Sequence, residues 1–310
     1  MQITFEEAYN QYLNYIELRL KFQSIRKIKS RFKNHILNYF KNYNINEIRE
    51  TDYLNWQLEI EKYSFTYSYK KTLHFAMVSF LNYCITYFNL DKNVASKVGC
   101  FKNKDNIKVH NDFYTLSEFN IFIKYVTDNV YKQFFNLMFY TGTRPGEAMA
   151  LRFSDLKDGL LSINKTISKE LKNGSRVINT PKTKSSNRII AIDNILNQDL
   201  FNLQKYYQEK YNNYSYDYYI FGGIKPLTFT TITRIKNKAC ESAKIKQIRL
   251  HDFRHSHATL LVQNHLMINE ISRRLGHSNV AITLNTYVHT DFEQEKKVIN
   301  TLNSLRLTNL

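Results

Sequence analysis

Only three cysteines, three prolines and eight glycines occur in 310 residues, and each scarcity excludes something. Cys84, Cys100 and Cys240 are scattered, odd in number and form no C-x-x-C pair, so neither a disulfide framework nor a thiolate zinc site is indicated. A reducing cytosol is the expected compartment. So little proline and glycine argues against a disordered or linker-rich chain. No uninterrupted apolar run approaches the ~20 residues of a membrane span, and the start, "MQITFEEAYNQYL", lacks a basic segment followed by an apolar one. A soluble, unexported protein without a membrane partner is expected.

What the chain has in excess is positive charge. Lys and Arg number 44 against 27 Asp and Glu, a formal net charge of +17, and both the first 109 residues and the remainder are net basic. Charge spread in this way suits a long polyanion touched by the whole molecule better than a small acidic substrate in one pocket. An A/T-rich coding bias, visible in the many Asn and the 23 Tyr, contributes to the same composition. With 43% hydrophobic residues, the length suffices for two domains and at least one substantial core.

The first ~88 residues read as four helices. Thr4 with Glu7 makes a capping box ahead of a periodic segment ending near Leu20. A second runs from about Ser24 to Phe40, Thr51 and Asp52 open a third, and "SYKKTLHFAMVSFLNYCITYF" forms the fourth. Lys and Arg between the apolar positions of helix two leave a cationic face, which taken alone is an ordinary solvated one. Residues 89–112 lose the apolar period and read as a linker. Thr115 with Glu118 opens a new helix; "FYTGTRPGE" then ends one helix at a glycine turn and starts another with Pro145 in its first turn. A β segment of three strands at most follows, with "SRVIN" and "RIIAID" as two runs about the polar turn "TPKTKSSN". Helices return from Asp193.

Several residues in the second part could carry chemistry. Arg144 in "TGTRPGE" stands at a helix start, where unpaired N–H groups and the helix dipole favour an anion. Lys182 and Lys184 flank the hairpin turn, and an ammonium there can protonate a leaving alkoxide. In "RLHDFRHSHATLL" two readings compete. His251 and His255, four apart, have the spacing of two zinc ligands on one helical face. Against it, Asp252 is a methylene shorter than the glutamate base of such sites, and Arg254 sets a fixed cation between the ligands. His251 and Arg254, three apart, instead pair a proton acceptor with a guanidinium, which suits a phosphate. His277 in "RRLGHSN" follows a helix end, and Tyr287 stands in "TLNTYVH".

In this order, "TGTRPGE", a hairpin lysine, "LHDFRH", "LGHSN" and "NTY" resemble the full set of active-site motifs of the tyrosine recombinases, the phage integrase family. The wording is most similar to integrases of Gram-positive phages and conjugative transposons. The resemblance spans the chain: residues 1–103 are similar to the helical core-DNA-binding domain and residues 113–310 to the catalytic domain. It implies a mainly α fold, a four-helix domain plus a mostly helical catalytic domain with a small antiparallel sheet, forming a C-shaped clamp on DNA. Family members often carry an arm-site-binding domain in front, for which no room is expected before Thr4.

The resemblance also implies roles. Tyr287 would attack a phosphodiester to give a 3′-phosphotyrosyl link and a free 5′-hydroxyl, with no metal or nucleotide cofactor. Arg144 and Arg254 would hold the non-bridging oxygens, His251 would accept the proton of Tyr287, and His277 would hydrogen-bond the phosphate. Lys182 matches the family's placing of the general acid, and Lys184 is the adjacent alternative. Glu147 would be a buried support for an arginine, where an exposed partner three residues on is the plain reading. The amphipathic tail after Tyr287 would pack on a neighbouring protomer. Implied partners are double-stranded attachment sites, a homotetramer on DNA, a host DNA-bending protein and an excisionase. The implied setting is the cytoplasm of a bacterial host, on DNA, in phage or mobile-element integration and excision.

Overall fold

A computed structural model describes residues 3–103, 112–172, 175–179 and 186–277. The chain divides into two compact units, Met1–His110 and Asn111–Leu310.

In the first unit the helices are α1 (Phe5–Glu17), α2 (Phe22–Arg31), α3 (Leu37–Phe40), α4 (Glu50–Glu61), α5 (Tyr67–Phe88) and the short α6 (Val94–Val98). The capping box before α1 is present: Glu7 N donates to Thr4 Oγ1 at 3.3 Å and Thr4 N to Glu7 Oε2 at 2.9 Å. Helices α2 and α3 are joined by a π-helical turn, Phe32–Ile36. Phe32, Ile36 and Phe40 are all fully buried at successive intervals of four. An undistorted α-helix would rotate each out of line by about 40°, and the widened turn absorbs that drift. Trp56 Nε1 donates to the His35 carbonyl within it, at 2.8 Å.

The core is aromatic. Tyr9 stacks on Phe32 with ring centroids 4.4 Å apart, and Phe5 meets Phe80 at 4.6 Å. Arg26, Lys27, Lys29 and Lys33 stay exposed, giving the expected cationic face; Lys29 pairs with Glu17 at 2.7 Å.

Two expectations change here. Helix α4 opens at Glu50, and Asp52 is the third helical residue, accepting from Arg49 N at 2.8 Å. The stretch after residue 88 is not all linker, because α6 lies within it. Gln57 Nε2 donates to the Gly99 carbonyl at 2.9 Å, and Phe101 packs against Trp56 in the core. Few apolar residues are needed when the partner surface is already formed, which is why no apolar period betrayed this segment.

The second unit holds α7 (Leu116–Lys124), α8 (Asn129–Thr141), α9 (Pro145–Ala150), β1 (Leu156–Lys157), β2 (Leu160–Ile163), β3 (Thr166–Lys172), β4 (Ser175–Asn179), β5 (Arg188–Ala191), α10 (Asn194–Lys210), α11 (Phe229–Ala243), α12 (Asp252–Gln263) and α13 (Ile268–Leu275). Thr115 and Glu118 cap α7, Pro145 is the first residue of α9 and Asp193 caps α10, as the sequence predicts. Phe119 stacks on Phe139 at 3.8 Å and Phe135 on Phe253 at 5.4 Å, so α7, α8 and α12 share one aromatic core.

The expected limit of three strands is wrong. Five strands form two antiparallel sheets among the described residues, β1-β2-β5 and β3-β4. The two runs expected to pair about the polar turn have different partners: Ile163 of β2 opposes Arg188 of β5, and Thr166 of β3 opposes Asn179 of β4. Strand β3, "TISKELK", has only Ile167 and Leu171 as large apolar residues, so it carries no signal of alternation. It lies hard against α9: a Cβ on Gly146 would come 2.6 Å from both the Ile167 carbonyl oxygen and Thr166 Oγ1. Only glycine allows that approach.

Candidate active site

The α8–α9 turn begins the site. Helix α8 ends in Gly142 at φ 66°, and Arg144 is the residue ahead of α9. The main-chain N–H of Arg144 donates to Glu147 Oε2 at 3.0 Å, and its guanidinium Nη1 to Glu147 Oε1 at 2.7 Å. The helix start thus receives its anion from its own chain, while Arg144 keeps 34% of its side chain exposed against 4% for Glu147. Glu147 is the buried support.

A second arginine holds the same carboxylate. Arg188, first residue of β5, donates Nη2 to Glu147 Oε2 at 2.9 Å and Nη1 to Oε1 at 3.4 Å. Its Nε donates to the Arg274 carbonyl at 2.8 Å, near the end of α13. Burial acts to raise the Glu147 carboxyl, but the hydrogen bonds and charge of Arg188, then the charge of Arg144, outweigh it. The carboxyl lies below its ordinary value and is ionised at neutral pH. In the sequence Arg188 stands out only as an arginine opening an otherwise apolar strand.

Helix α12 supplies the next pair. Asp252 is fully buried and accepts Arg249 N at 2.8 Å and Arg249 Nε and Nη2 at 3.0 Å each. It braces the helix start, with its charge taken by Arg249. Arg254, 2% exposed, donates Nη1 to the Gly142 carbonyl at 2.9 Å, which ties α12 to the turn that presents Arg144. His251 precedes the helix, and its ring meets that of His255 edge-on at 5.5 Å. Among the described residues no three His, Cys, Asp or Glu side chains gather as a metal ion would require.

His277 arrives by the turn after α13. Gly276 at φ 70° donates N–H to the Arg273 carbonyl at 3.0 Å, and His277 N to Ser272 O at 3.1 Å. This paired bonding closes the helix and fixes where the next residue goes.

The charges of these elements bear on both imidazoles. His251 faces solvent as a residue, yet its imidazole is pushed down to about 4 by desolvation and then by His255, Arg254 and Arg144. His277 is likewise pushed down to about 4, by burial first and then by Arg254, Arg144, Arg188 and His255. Arg254, bonded to the turn that presents Arg144, thus acts together with Arg144 on both His251 and His277. Tyr287 and the lysines Lys182 and Lys184 lie outside the described residues.

His257 is a packing residue. It is 2% exposed, its Nδ1 lies 2.9 Å from the Phe139 carbonyl, and Arg274 Nε donates to its Nε2 at 3.2 Å. Those partners require a neutral ring with the proton on Nδ1. Burial, then the charge of Arg274, pushes it down to about 3.

The chain matches the phage integrase family over residues 115–294, more than half its length, and the phage integrase N-terminal SAM-like domain over residues 4–60. It is 33% identical over 200 residues to the ICEBs1 integrase of Bacillus subtilis, a match covering 62% of this chain and 54% of that protein. Against the integrase of Staphylococcus phage L54a it is 30% identical over 175 residues, covering 53% and 49%. The chain thus spans about half the length of these relatives. A XerC-like tyrosine recombinase of Caldanaerobacter subterraneus is 27% identical over 305 residues, covering 89% of this chain and 77% of that one. Among solved structures, the Tn1549 transposon integrase in complex with transposon right-end DNA superimposes with a TM-score of 0.78 at 18% identity, covering 97% and 100% of the two chains. A lambda integrase tetramer bound to a Holliday junction gives 0.68 at 14% identity, covering 92% and 78%. These likenesses establish the fold.

Proposed function

The chain belongs to the phage integrase family, and on that premise we propose that it is a tyrosine-type site-specific recombinase that breaks and rejoins DNA strands through a 3′-phosphotyrosyl intermediate. The observation that carries the reading is the bond from Arg254 to the Gly142 carbonyl, which ties it to the turn presenting Arg144, with the charges of both arginines acting on His251 and His277. Two guanidiniums offset the charge that develops on a pentacoordinate phosphorus. Neutral His251 accepts the proton of Tyr287 as it attacks, and His277 hydrogen-bonds the phosphate. Lys182 protonates the departing 5′-oxygen. Attack by a partner strand's 5′-hydroxyl reverses the step and regenerates tyrosine, so the covalent intermediate stores the bond energy.

In this proposal residues 1–103 are the core-DNA-binding domain and 113–310 the catalytic domain, each contacting the duplex, and the protein works as a tetramer. The substrate is a phage or mobile-element attachment site, in the cytoplasm of a bacterial host. A DNA-bending host protein and an excisionase complete the expected partners. No helix among the described residues is long and apolar enough to cross a membrane.

The test is a suicide substrate nicked beside the crossover site, which traps the covalent adduct. Wild type forms the adduct and Tyr287→Phe does not. A wild type that binds the site but forms no adduct, or an adduct that persists in Tyr287→Phe, would overturn the assignment.

A further inference from the structure

Arg188 touches three parts of the candidate site at once. Its Nη1 and Nη2 hold both oxygens of Glu147, whose other partner is Arg144. Its Nε holds the Arg274 carbonyl, two residues before the turn that delivers His277. Its Nη1 also donates to the Ser186 carbonyl at 3.2 Å, two residues after Lys184 in the sequence. The side chains of Arg188 and Glu147 are 6% and 4% exposed, so the clamp is shielded from water. In a guanidinium these donors lie in one rigid plane, so the positions of the three acceptors are fixed relative to one another.

Resting on the recombinase reading above, we propose that Arg188 is a positioning residue for strand cleavage: through Glu147 it sets Arg144 against the scissile phosphate, and through the Arg274 carbonyl it holds the turn carrying His277 in register with it. Arg188 touches no substrate in this scheme. A buried ion pair is poor evidence of stability in itself, and a role in fixing one geometry is the use such pairs best support. The titratable groups that interact with the clamp are Arg144 beside α9 and Arg274 and His277 at the end of α13.

The experiment uses the full chain on a suicide substrate, with site affinity and single-turnover cleavage measured separately. Arg188→Lys keeps a cation beside Glu147, but one ammonium cannot span both carboxylate oxygens and the Arg274 carbonyl. It binds the site within about twofold of wild type and cleaves at least about tenfold more slowly. Glu147→Gln slows cleavage by a comparable factor. The double variant is no slower than the slower single one, because both act through the same arginine; independent roles would multiply. Cleavage by Arg188→Lys at the wild-type rate, a loss confined to affinity, or multiplying losses in the double variant each overturn the proposal. So does an Arg188→Lys protein unfolded at the assay temperature, which assigns the residue to stability alone. Absence of a wild-type adduct overturns the recombinase reading and this proposal with it, whereas a wild-type adduct with an unaffected Arg188→Lys overturns the proposal only.

Discussion

The guanidinium of Arg254 reaches back across 112 residues of chain to donate to the carbonyl oxygen of Gly142 at 2.9 Å. One arm of this candidate-site arginine is thus anchored by the main chain of the turn that presents Arg144.

Gly142→Ala tests that turn. The residue holds φ 66°, and an added Cβ would fall 2.6 Å from His257 Cδ2 and 2.7 Å from Leu275 Cδ2. A left-handed backbone costs a substituted residue roughly 1–2 kcal/mol, and overpacking typically about 1–3. Denaturant melts are expected to show a loss of at least about 2 kcal/mol. An unchanged midpoint would contradict the packing described.

His257 gives the second unit an acid sensitivity. Its imidazole titrates near 3 when folded and near 6.5 when unfolded, so between those values the unfolded chain binds the proton more tightly. The stability it contributes is whole above about pH 6.5 and is lost as the pH falls toward 3, by up to about 1.4 kcal/mol per unit. In melts across that range His257→Gln should show a flatter slope than wild type. Parallel slopes would refute the buried neutral ring.

His251 and His277 in the DNA-free protein should remain neutral down to about pH 4. Proton NMR of the imidazole carbons, assigned by single substitutions, reads this directly. A midpoint near 6.5 for either would mean that neither burial nor the neighbouring guanidiniums act on it.

If Lys182 is the general acid proposed above, Lys182→Ala slows cleavage by about a hundredfold or more. A substrate with sulfur at the 5′-bridging position should restore most of the rate, because a thiolate leaves without a proton. Lys184→Ala should retain near-normal cleavage of the ordinary substrate. The reverse pattern would move the role to Lys184.

A titration of site affinity against salt measures the electrostatic contact. Each neutralised phosphate contributes a slope of about −0.9 to the logarithmic plot. A duplex gripped by both basic units should give a slope of about −4.5 or steeper, equivalent to five phosphates. A nearly flat response would rule out contact by both units.

The parts of this molecule legible in its sequence are those governed by neighbours along the chain. The capping boxes at Thr4 and Thr115 and the proline start of α9 follow from three or four adjacent residues each. The candidate site was legible only as an ordered set of short motifs, and in the folded chain Arg144 and Arg254 both act on His251 and His277. Arg188 and β3 were missed for the opposite reason. What defines Arg188 is a carboxylate 41 residues away, and β3 is held by its pairing with β4 and its contact with α9 rather than by any apolar alternation. Helix α6 belongs with them, since its burial depends on a surface made by α4 and α5.

The π-helical turn at Phe32–Ile36 has a practical consequence for mapping the basic face of the first unit. The turn inserts a residue into the α-helical count, and one residue is worth about 100° of rotation. A single helical wheel drawn from Phe22 to Phe40 would therefore misassign the directions of Asn38 and Tyr39, beyond the turn, relative to Arg26 and Lys27. An alanine scan of this basic face has to be phased separately on either side of the turn, or residues on one side of the rod will be scored as though they belonged to the other.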